Sequence, residues 1–334
     1  MTLTIGASPT ILGLPRICIG VVTRQRPKML GTLLRSLVQL DRRNLDCIFV
    51  IVENDESPTS HDVISTFADL IENVKVVYEM ESRVGISYAR NRVLDIACRE
   101  RADMLAFIDD DEIACEGWLH ALVSAKLGRK LDLVGGPVRP HRNEGGSSLW
   151  ERLVWRGLKA RSCRAEAKIA QRVLREGDGH IDVNTGNWLV DTSFIQRAGL
   201  RFNEALGLSG GEDTVFCAAL RAAGGRSGWV DGAVIYEIQP KERLNLRYQY
   251  RRSRDRATTS FKFRYSHPPT AKVSLHTMIS VVGKCVTGLY YIGRAAFDRG
   301  ASLVDAVYAF GFAAGRVRAL RGIESSHYQQ VTGG

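Results

Sequence analysis

The chain has 334 residues, of which 45% are hydrophobic and 25% are charged, and its formal net charge is +10. These fractions are ordinary for a globular protein and exclude a disordered chain, a collagen-like repeat and a small disulfide-rich fold. The mean hydropathy of −0.11 argues against several membrane spans, and the length predicts about two domains or one large domain with appendages.

Short apolar runs alternate with helical patterns over the first 140 residues. Pro27 opens a helical pattern that continues to Val38, and a second helix is predicted over residues 86–98. Apolar strands separated by helices indicate an α/β fold with a mostly parallel central sheet covered on both faces. Ligands of such sheets bind beyond the carboxyl ends of the strands. The predicted strands are residues 17–23, 47–52, 74–78, 104–108 and 131–138.

The second half of the chain changes in character. A loop at 141–148 and an arginine-rich polar helix are followed by a strand at 182–190, a helix at 212–223 and a strand at 229–238. From Lys241 onward, 16 lysines and arginines face five aspartates and glutamates, a net charge of +11, so the preceding 240 residues carry −1. Such a basic region usually contacts the phosphates of nucleic acid, lipid headgroups or a pyrophosphate ligand; the alternative is a solvated basic face.

Polar side chains follow the predicted strands. The first strand ends at Thr23, the second at Glu53 and Asp55, and the fourth at the aspartate triplet, which consists of Asp109, Asp110 and Asp111. Three adjacent carboxylates repel one another unless a cation neutralises them. Mg²⁺ or Mn²⁺ is the natural partner, because either ion accepts one or two carboxylates together with substrate phosphates. The alternative is that one aspartate caps the next helix and the others are solvated.

Over residues 16–240 the chain resembles the nucleotide-sugar-dependent glycosyltransferases of the GT-A fold, and in particular glycosyltransferase family 2. Within that family the closest likeness is to bacterial exopolysaccharide (succinoglycan-type) sugar transferases. Each matching motif is weak alone, but their order and spacing are specific. The motifs are the opening strand with Thr23, the VEND segment, Gly85-x-x-x-Ala89-Arg90-Asn91, the aspartate triplet, Thr185-Gly186-Asn187 and Gly210-Gly211-Glu212-Asp213.

The resemblance implies a nucleotide-sugar site at the strand ends. Asp109 would approach the ribose, and Asp111 would hold the metal on the diphosphate. Glu53 stands where family members often have Asp, which is a departure at the base contact. The alternative for Arg90 is that Gly85 merely starts a helix and Arg90 lies exposed on its surface. The implied nucleotide-sugar residues are Thr23, Glu53, Asp55, Arg90, Asn91, Asp109 and Asp110.

The Gly-Gly-Glu-Asp motif has both a structural and a catalytic interpretation. Ser209 followed by Glu212 fits a capping box, in which the two side chains simply start a helix. Glycine at 211 would let the backbone lie close to a bound sugar. The resemblance places the catalytic base at Asp213 and makes Glu212 a supporting residue on the acceptor side. Both interpretations can hold together, since a capped helix would fix the carboxylate.

Two weaker segments complete the predicted site. Asn187 and Trp188, with Gly211, would form a wall facing the acceptor or the donor sugar; the alternative is a turn before a strand with Trp188 in the core. The cluster at 249–256 partly resembles the Gln-x-x-Arg-Trp motif of processive family members, but Ser253 replaces the tryptophan. That departure predicts single-sugar addition, with Arg252 as the candidate for the leaving diphosphate.

The resemblance therefore implies inverting, metal-dependent transfer of one sugar, expected from a UDP-sugar with Mn²⁺ or Mg²⁺, to a glycan or lipid-linked acceptor in bacterial polysaccharide biosynthesis. It implies an N-terminal extension (1–15), a catalytic domain (16–240) and a basic helical region (241–334). The catalytic domain would comprise a nucleotide-binding half (16–140) and an acceptor half (141–240).

The composition and the C-terminal region predict the location. The seven cysteines include no Cys-x-x-Cys pair, which predicts reduced core thiols, and no basic residue precedes Arg16, which predicts no secretory signal. Residues 274–292 have spanning length, but Lys284 lies near their centre, which favours an interfacial helix. We expect a cytoplasmic protein that docks on an anionic membrane surface; the alternative is a soluble helical subdomain.

Two rival functions fit less well. Sugar-phosphate nucleotidyltransferases resemble one another in a glycine-rich loop after the first strand, and residues 23–27 here contain no glycine. A non-enzymatic module that binds membranes or nucleic acid through the basic region would leave the aspartate triplet, Glu212 and Asp213 unexplained. No nucleic acid partner is therefore expected.

Overall fold

The computed structural model describes residues 2–5, 13–142, 148–206, 211–265 and 269–323. The strands in these ranges are β1 (Thr2–Ile5), β2 (Arg16–Thr23), β3 (Asp46–Glu53), β4 (Lys75–Met80), β5 (Met104–Asp109), β6 (Glu112–Ala114), β7 (Leu133–Gly135), β8 (Val138–His141), β9 (Trp188–Asp191), β10 (Ser227–Trp229) and β11 (Ile235–Ile238). The helices are α1 (Pro27–Val38), α2 (His61–Leu70), α3 (Ile86–Arg99), α4 (Trp118–Arg129), α5 (Leu149–Glu176), α6 (Thr192–Ala198), α7 (Glu212–Ala222), α8 (Leu246–Arg264), α9 (Ala271–Ala295) and α10 (Ser302–Leu320).

The main sheet has the strand order β1-β4-β3-β2-β5-β9-β7-β10, and a small sheet has the order β6-β11-β8. Strands β4, β3, β2 and β5 are mutually parallel, while β1 and β9 run antiparallel to their neighbours. The predicted mixed α/β fold with a mostly parallel central sheet is therefore confirmed.

Two predicted strands are each divided between the two sheets. The run at 131–138 forms β7 and β8, and the run at 229–238 forms the end of β10 and then β11. The chain crosses itself tightly here, because a Cβ at Gly136 would lie 2.2 Å from the Ala233 carbonyl oxygen. Pro137 also has no N–H to donate to a sheet. A single continuous strand is therefore wrong at both places.

Helices cover both faces of the main sheet. One core cluster joins α1, α2 and α4 to residues such as Ile19 and Phe49, and the other joins α3 and α7 to residues such as Cys18 and Phe107. Alternate residues of β2 face opposite clusters, as the two-residue period of a strand requires. Cys18 is a buried free thiol, whereas Cys163 is exposed, so the prediction of core thiols is wrong for Cys163.

The basic C-terminal region is helical, as predicted, and it packs onto the rest of the chain. Helix α10 lies tightly against α8, because a Cβ at Gly315 would come within 2.1 Å of the Arg254 carbonyl oxygen. Arg161 and Arg164 of α5 both pair with Asp305 of α10. Among the described helices, none combines the length and the apolar character that crossing a membrane requires. The domain division at residue 240 stays a prediction.

Candidate active site

The polar residues that end the central strands lie together at one edge of the main sheet. In the strand register Thr23 of β2 is opposite Glu53 of β3, and Val22 is opposite Asp109 of β5. The parallel strands β2, β3 and β5 all end at this edge, so their terminal side chains meet there. The structure therefore brings the ends of these three strands together at one edge of the main sheet, and this edge is the candidate cleft.

Each member of the aspartate triplet is paired with a different arginine. The arginines come from the loop after β2, from α3, and from the 3₁₀ turn Lys241–Arg243. These arginines place positive charge beside the triplet, although Arg90 also pairs with Glu212 and Arg243 also pairs with Glu237. The nitrogen–oxygen distances are 3.1 Å for Arg26 with Asp110, 3.0 Å for Arg90 with Asp109, and 2.9 Å for Arg243 with Asp111.

Burial opposes ionisation in this acidic group. Burial raises the pKa of Asp110 to about 6, although Arg26 and the Thr23 hydroxyl, which donates to Asp110 at 2.8 Å, both lower it. Burial also raises the pKa of Asp109, and it raises that of Glu112 well above its ordinary value. Glu112 accepts the Asp109 backbone N–H at 2.8 Å. Glu112 was not predicted as a site residue, although this fourth acid directly follows the triplet.

Gly186 gives these carboxylates the space they occupy. A Cβ at this position would lie 2.6 Å from Glu112 Oε1 and 2.8 Å from Asp109 Oδ2. The turn Thr185–Asn187 therefore forms the floor beneath the two acids, and its motif has a packing role here.

We expect Gly186→Ala to destabilise the fold by about 1–3 kcal/mol, because the methyl group overpacks a rigid polar contact. Urea denaturation of the two proteins measures the difference. The matched control is Gly128→Ala, because a Cβ at this position of α4 meets no atom within 4 Å. We expect it to be neutral or stabilising by about 0.4–1 kcal/mol. Equal midpoints for all three proteins would contradict the packing role.

The predicted wall of Asn187 and Trp188 is wrong. Asn187 is fully buried; it accepts the Trp118 indole N–H at 2.7 Å and donates to the carbonyls of Pro137 and Ala233 at 3.0 and 2.8 Å. Trp188 is also fully buried, among the rings of Phe107, Phe202 and Phe216. Both side chains stabilise the core, which is the alternative that the sequence left open for Trp188.

Arg90 connects Asp109 at the end of β5 to Glu212 at the start of α7. Its side chain is only 3% exposed; it donates to Glu212 from one nitrogen and to Asp109, at 3.0 Å, from the other. Burial opposes the charge of Arg90, but Asp109, Glu212 and Asp213 outweigh that effect and raise its pKa. The alternative of an exposed surface arginine is therefore wrong. Arg90 acts as a buried bridge between carboxylates far apart in sequence.

Helix α7 presents the acidic pair. It begins at Glu212, and its N-cap is Gly211 with φ of +93°, a conformation that glycine adopts readily. Because Glu212 is the first helical residue, the capping box is wrong; Ser209 and Gly210 lie outside the described residues. Burial raises the pKa of Glu212, whose Oε2 is buried without a hydrogen-bond partner among the described residues. Asp213 is half-buried and accepts the Thr214 backbone N–H at 2.7 Å.

Two predicted nucleotide residues serve internal networks instead. Glu53 is fully buried, and it accepts bonds from the Thr59 N–H at 3.0 Å, the Ser60 hydroxyl at 3.1 Å and the Tyr78 hydroxyl. Asn91 bonds both the N–H and the carbonyl of Phe202, each at 2.9 Å. A direct contact of either side chain with a nucleotide is therefore wrong.

Asp55 stays available at the rim of the cleft. It is half-buried and accepts a bond from the Gln25 side chain at 2.6 Å. Because Gln25 belongs to the loop after β2 and Asp55 to the loop after β3, the pair links these two loops. Asp55 remains the predicted residue for the base contact.

Arg243, in the turn before α8, contacts the triplet. Arg252, the predicted diphosphate residue, lies 3.5 Å from Glu237, while Arg243 lies 3.4 Å from that same carboxylate and 2.9 Å from Asp111. Arg243 was not predicted as a site residue, because it precedes the arginine cluster and matches no motif.

Comparison with known proteins identifies the family. Residues 18–190 match the model described as glycosyl transferase family 2. The chain is also 30% identical over 248 residues to the succinoglycan biosynthesis protein ExoM of Rhizobium meliloti (strain 1021), which covers 71% of each protein. The chain belongs to glycosyltransferase family 2. It is a glycosyltransferase, as predicted.

Solved structures agree with this family 2 fold. The mannosyltransferase PcManGT from Pyrobaculum calidifontis, in complex with GDP-Man and Mn²⁺, has a TM-score of 0.65 and 15% identity, covering 96% of this chain and 90% of that one. TarS 1–349 of S. aureus, in complex with UDP-GlcNAc, has a TM-score of 0.50 and 13% identity, covering 92% of each chain. At such identities the likeness establishes the fold, and it confirms the GT-A architecture.

The charge argument for a metal needs revision in this family 2 glycosyltransferase. Within the described ranges, no three His, Cys, Asp or Glu side chains are grouped as a metal site. The arginines offset part of the repulsion within the triplet, while burial and Asp111 still raise the pKa of Asp109 and of Asp110. The hard carboxylate oxygens of Asp109 and Asp111 nevertheless suit a Mg²⁺ or Mn²⁺ that takes its other ligands from a diphosphate and water.

Proposed function

We propose that this glycosyltransferase transfers one sugar, with inversion, from a nucleotide-diphosphate sugar to a hydroxyl group in bacterial exopolysaccharide biosynthesis. The expected donor is a UDP-sugar, and the acceptor is a glycan or a lipid-linked sugar. The similarity to a succinoglycan biosynthesis protein supports the pathway class. The observation that carries the proposal is the Arg90 bridge, which connects Asp109 on the donor side to Glu212 on the acceptor side.

On the donor side, we propose that different residues contact the base and the ribose of the nucleotide. Asp55 at the rim is proposed to meet the base, and Asp109, about one-third exposed, to meet the ribose. Thr23 is only 1% exposed, so its proposed contribution is to orient Asp110 through the hydrogen bond between them. Buried carboxylates held by fixed partners need little reorganisation when a ligand arrives.

On the acceptor side, Asp213 is proposed as the general base. It is half-buried, whereas Glu212 is 6% exposed and held by Arg90. Asp213 would take the proton of the acceptor hydroxyl. The oxygen of that hydroxyl would bond to the anomeric carbon of the donor sugar while the bond from this carbon to the diphosphate oxygen breaks. Glu212 would fix the start of α7, and the Gly211 backbone would allow the sugar to approach closely.

The leaving diphosphate carries the charge that must be stabilised. Mn²⁺ or Mg²⁺ held through Asp111, with Asp109 nearby, would supply Lewis-acid charge there. The guanidinium groups of Arg26 and Arg243 lie 3.7 and 2.9 Å from Asp111, so they also stand where the diphosphate would lie. We propose that these two arginines contact the phosphates in place of Arg252, the residue predicted from the sequence.

A donor screen tests the proposed function. The full-length protein is incubated with Mn²⁺ and UDP-glucose, UDP-galactose, UDP-GlcNAc or GDP-mannose, and released nucleoside diphosphate is measured. Slow release from one UDP-sugar by hydrolysis is expected without an acceptor, and, when a glycan acceptor is added, NMR of the glycosylated product should show the inverted anomer. Pyrophosphate release from a nucleoside triphosphate and a sugar 1-phosphate would instead indicate a nucleotidyltransferase.

Asp111→Ala tests the metal assignment. We expect that Mn²⁺ strengthens UDP binding to the wild-type protein and that the variant loses at least about tenfold of this enhancement. Calorimetry with and without Mn²⁺ measures both affinities. Arg243→Gln is the matched control, because it breaks the same ion pair while keeping the carboxylate. An undiminished Mn²⁺ effect in Asp111→Ala would make Asp111 a structural partner of Arg243 alone.

A further inference from the structure

Helix α9 has an uncovered apolar side, which we call the α9 stripe. From residue 275 to residue 289 its members are spaced three or four apart, and Tyr290 follows Val286 by four, so they share one face of the helix; each is at least 60% exposed. Exposed apolar faces of this kind mark interaction surfaces on globular proteins. The stripe consists of Leu275, Ile279, Val282, Val286, Leu289 and Tyr290.

The opposite side of α9 is held by the protein. Val281 and Gly288 are buried, and a Cβ at Gly288 would lie 2.7 Å from the Phe310 ring of α10. Lys284 also belongs to that side, since its Nζ lies 5.5 Å from the centroid of the Phe312 ring. The lysine that interrupts the apolar sequence is therefore directed away from the stripe, which carries no charge.

The charges around the stripe indicate its partner. Residues 271–297 contain no aspartate or glutamate, and exposed Lys272 lies in the first turn. Exposed Arg294 and Arg299 lie at the other end, where Asp298 lies 3.7 Å from Arg294 and leaves one net positive charge. Phe297, 91% exposed, lies between those two arginines. Apolar faces with aromatic residues and basic edges are typical of helices that lie in the plane of an anionic membrane.

We propose that the α9 stripe docks this glycosyltransferase on an anionic lipid surface, with α9 lying parallel to the bilayer. The stripe is fastened to the cleft, because α9 packs on α10, α10 packs on α8, and the turn that precedes α8 carries Arg243 to Asp111. Docking therefore holds the active-site cleft at a fixed position relative to the lipid. The proposal stands apart from the choice of sugar donor.

Point variants on the full-length chain test the surface. Truncation before α9 is unsuitable, since it would strip α10 from α8 and α5. The test variant is Ile279→Glu with Val286→Glu, at two exposed positions that leave the α10 contact intact. The matched control is Leu127→Glu with Leu174→Glu, which has the same charge change at residues 53% and 86% exposed on other helices.

Co-sedimentation with vesicles of equal phosphatidylglycerol and phosphatidylcholine is the measurement. We expect wild type and control to bind alike, at least about tenfold more tightly than the Ile279/Val286 variant, because binding scales with buried apolar area and anionic charge. High salt, and the use of pure phosphatidylcholine vesicles, should each weaken vesicle binding by the wild-type protein. Equal binding to neutral vesicles would overturn the anionic assignment.

A second copy of the chain is the competing occupant, and sedimentation equilibrium without lipid detects it. A wild-type protein that is monomeric and binds vesicles supports docking of the α9 stripe on a membrane. A wild-type dimer that the Ile279/Val286 variant dissociates, with no vesicle binding by either protein, would overturn the proposal. Because none of these measurements involves a sugar donor, their failure is distinguishable from failure of the proposed transfer reaction.

Discussion

Asp213→Asn is expected to lower the rate of sugar transfer by about 10²–10⁴-fold while leaving donor binding nearly unchanged. The asparagine keeps the size of the side chain but accepts no proton from the attacking hydroxyl. Asp213 makes its described side-chain hydrogen bonds to Thr214 and none to Thr23 or Asp110. Transfer rates and calorimetric donor affinities, measured on the same preparation, separate the two effects.

Glu212→Gln provides the neighbouring comparison. Glu212 accepts from buried Arg90, so its loss should disturb stability and donor binding as well as the rate. A full loss of transfer in Glu212→Gln with a wild-type rate in Asp213→Asn would assign the base to Glu212. Wild-type rates in both variants would mean that the base lies elsewhere in the cleft.

The fold class could be predicted from the sequence because buried strands and helices have regular patterns of apolar residues. The interiors of β2, β3 and β5 are apolar, since helices cover both of their faces, and β3 and β5 end at the acids Glu53 and Asp109. The runs at 131–138 and 229–238 were misread because an apolar pattern does not reveal a change of sheet. That change depends on the contact of Gly136 with Ala233, about a hundred residues away.

The site was predicted in position but only partly in role. A polar residue after a strand looks the same whether it faces a ligand or an internal network, and Glu53 and Asn91 face networks. The partners that decide this are distant: Arg26 and Arg243 lie 84 and 132 residues from the aspartates they contact. Charge repulsion in the aspartate triplet correctly required cations, yet sequence alone did not distinguish arginines from a metal.

Substitution of Arg90 is expected to cause a large loss of stability. Arg90→Met is expected to lower the free energy of unfolding by about 3–5 kcal/mol, because it leaves two carboxylates in the cleft without their buried partner. Urea denaturation measures the loss. The control is Arg201→Met, because Arg201 pairs with Asp95 on the surface, where both side chains are nearly half exposed. That substitution should cost no more than about 1 kcal/mol.

The pH dependence of the stability loss in Arg90→Met distinguishes the loss of a charge from a simple packing defect. Arg90 lowers the pKa of Glu212, which burial has raised, so its removal raises that pKa further. Between the unfolded and folded pKa values the native state then binds more protons, and stability falls as pH rises. The deficit of Arg90→Met should therefore be smaller at pH 5 than at pH 8, and Glu212→Gln in the same chain should reduce it at pH 8. A deficit that is equal at both values, and unaffected by Glu212→Gln, would show that Arg90 contributes through packing against Phe202 and not as the charge that joins the two sides of the cleft.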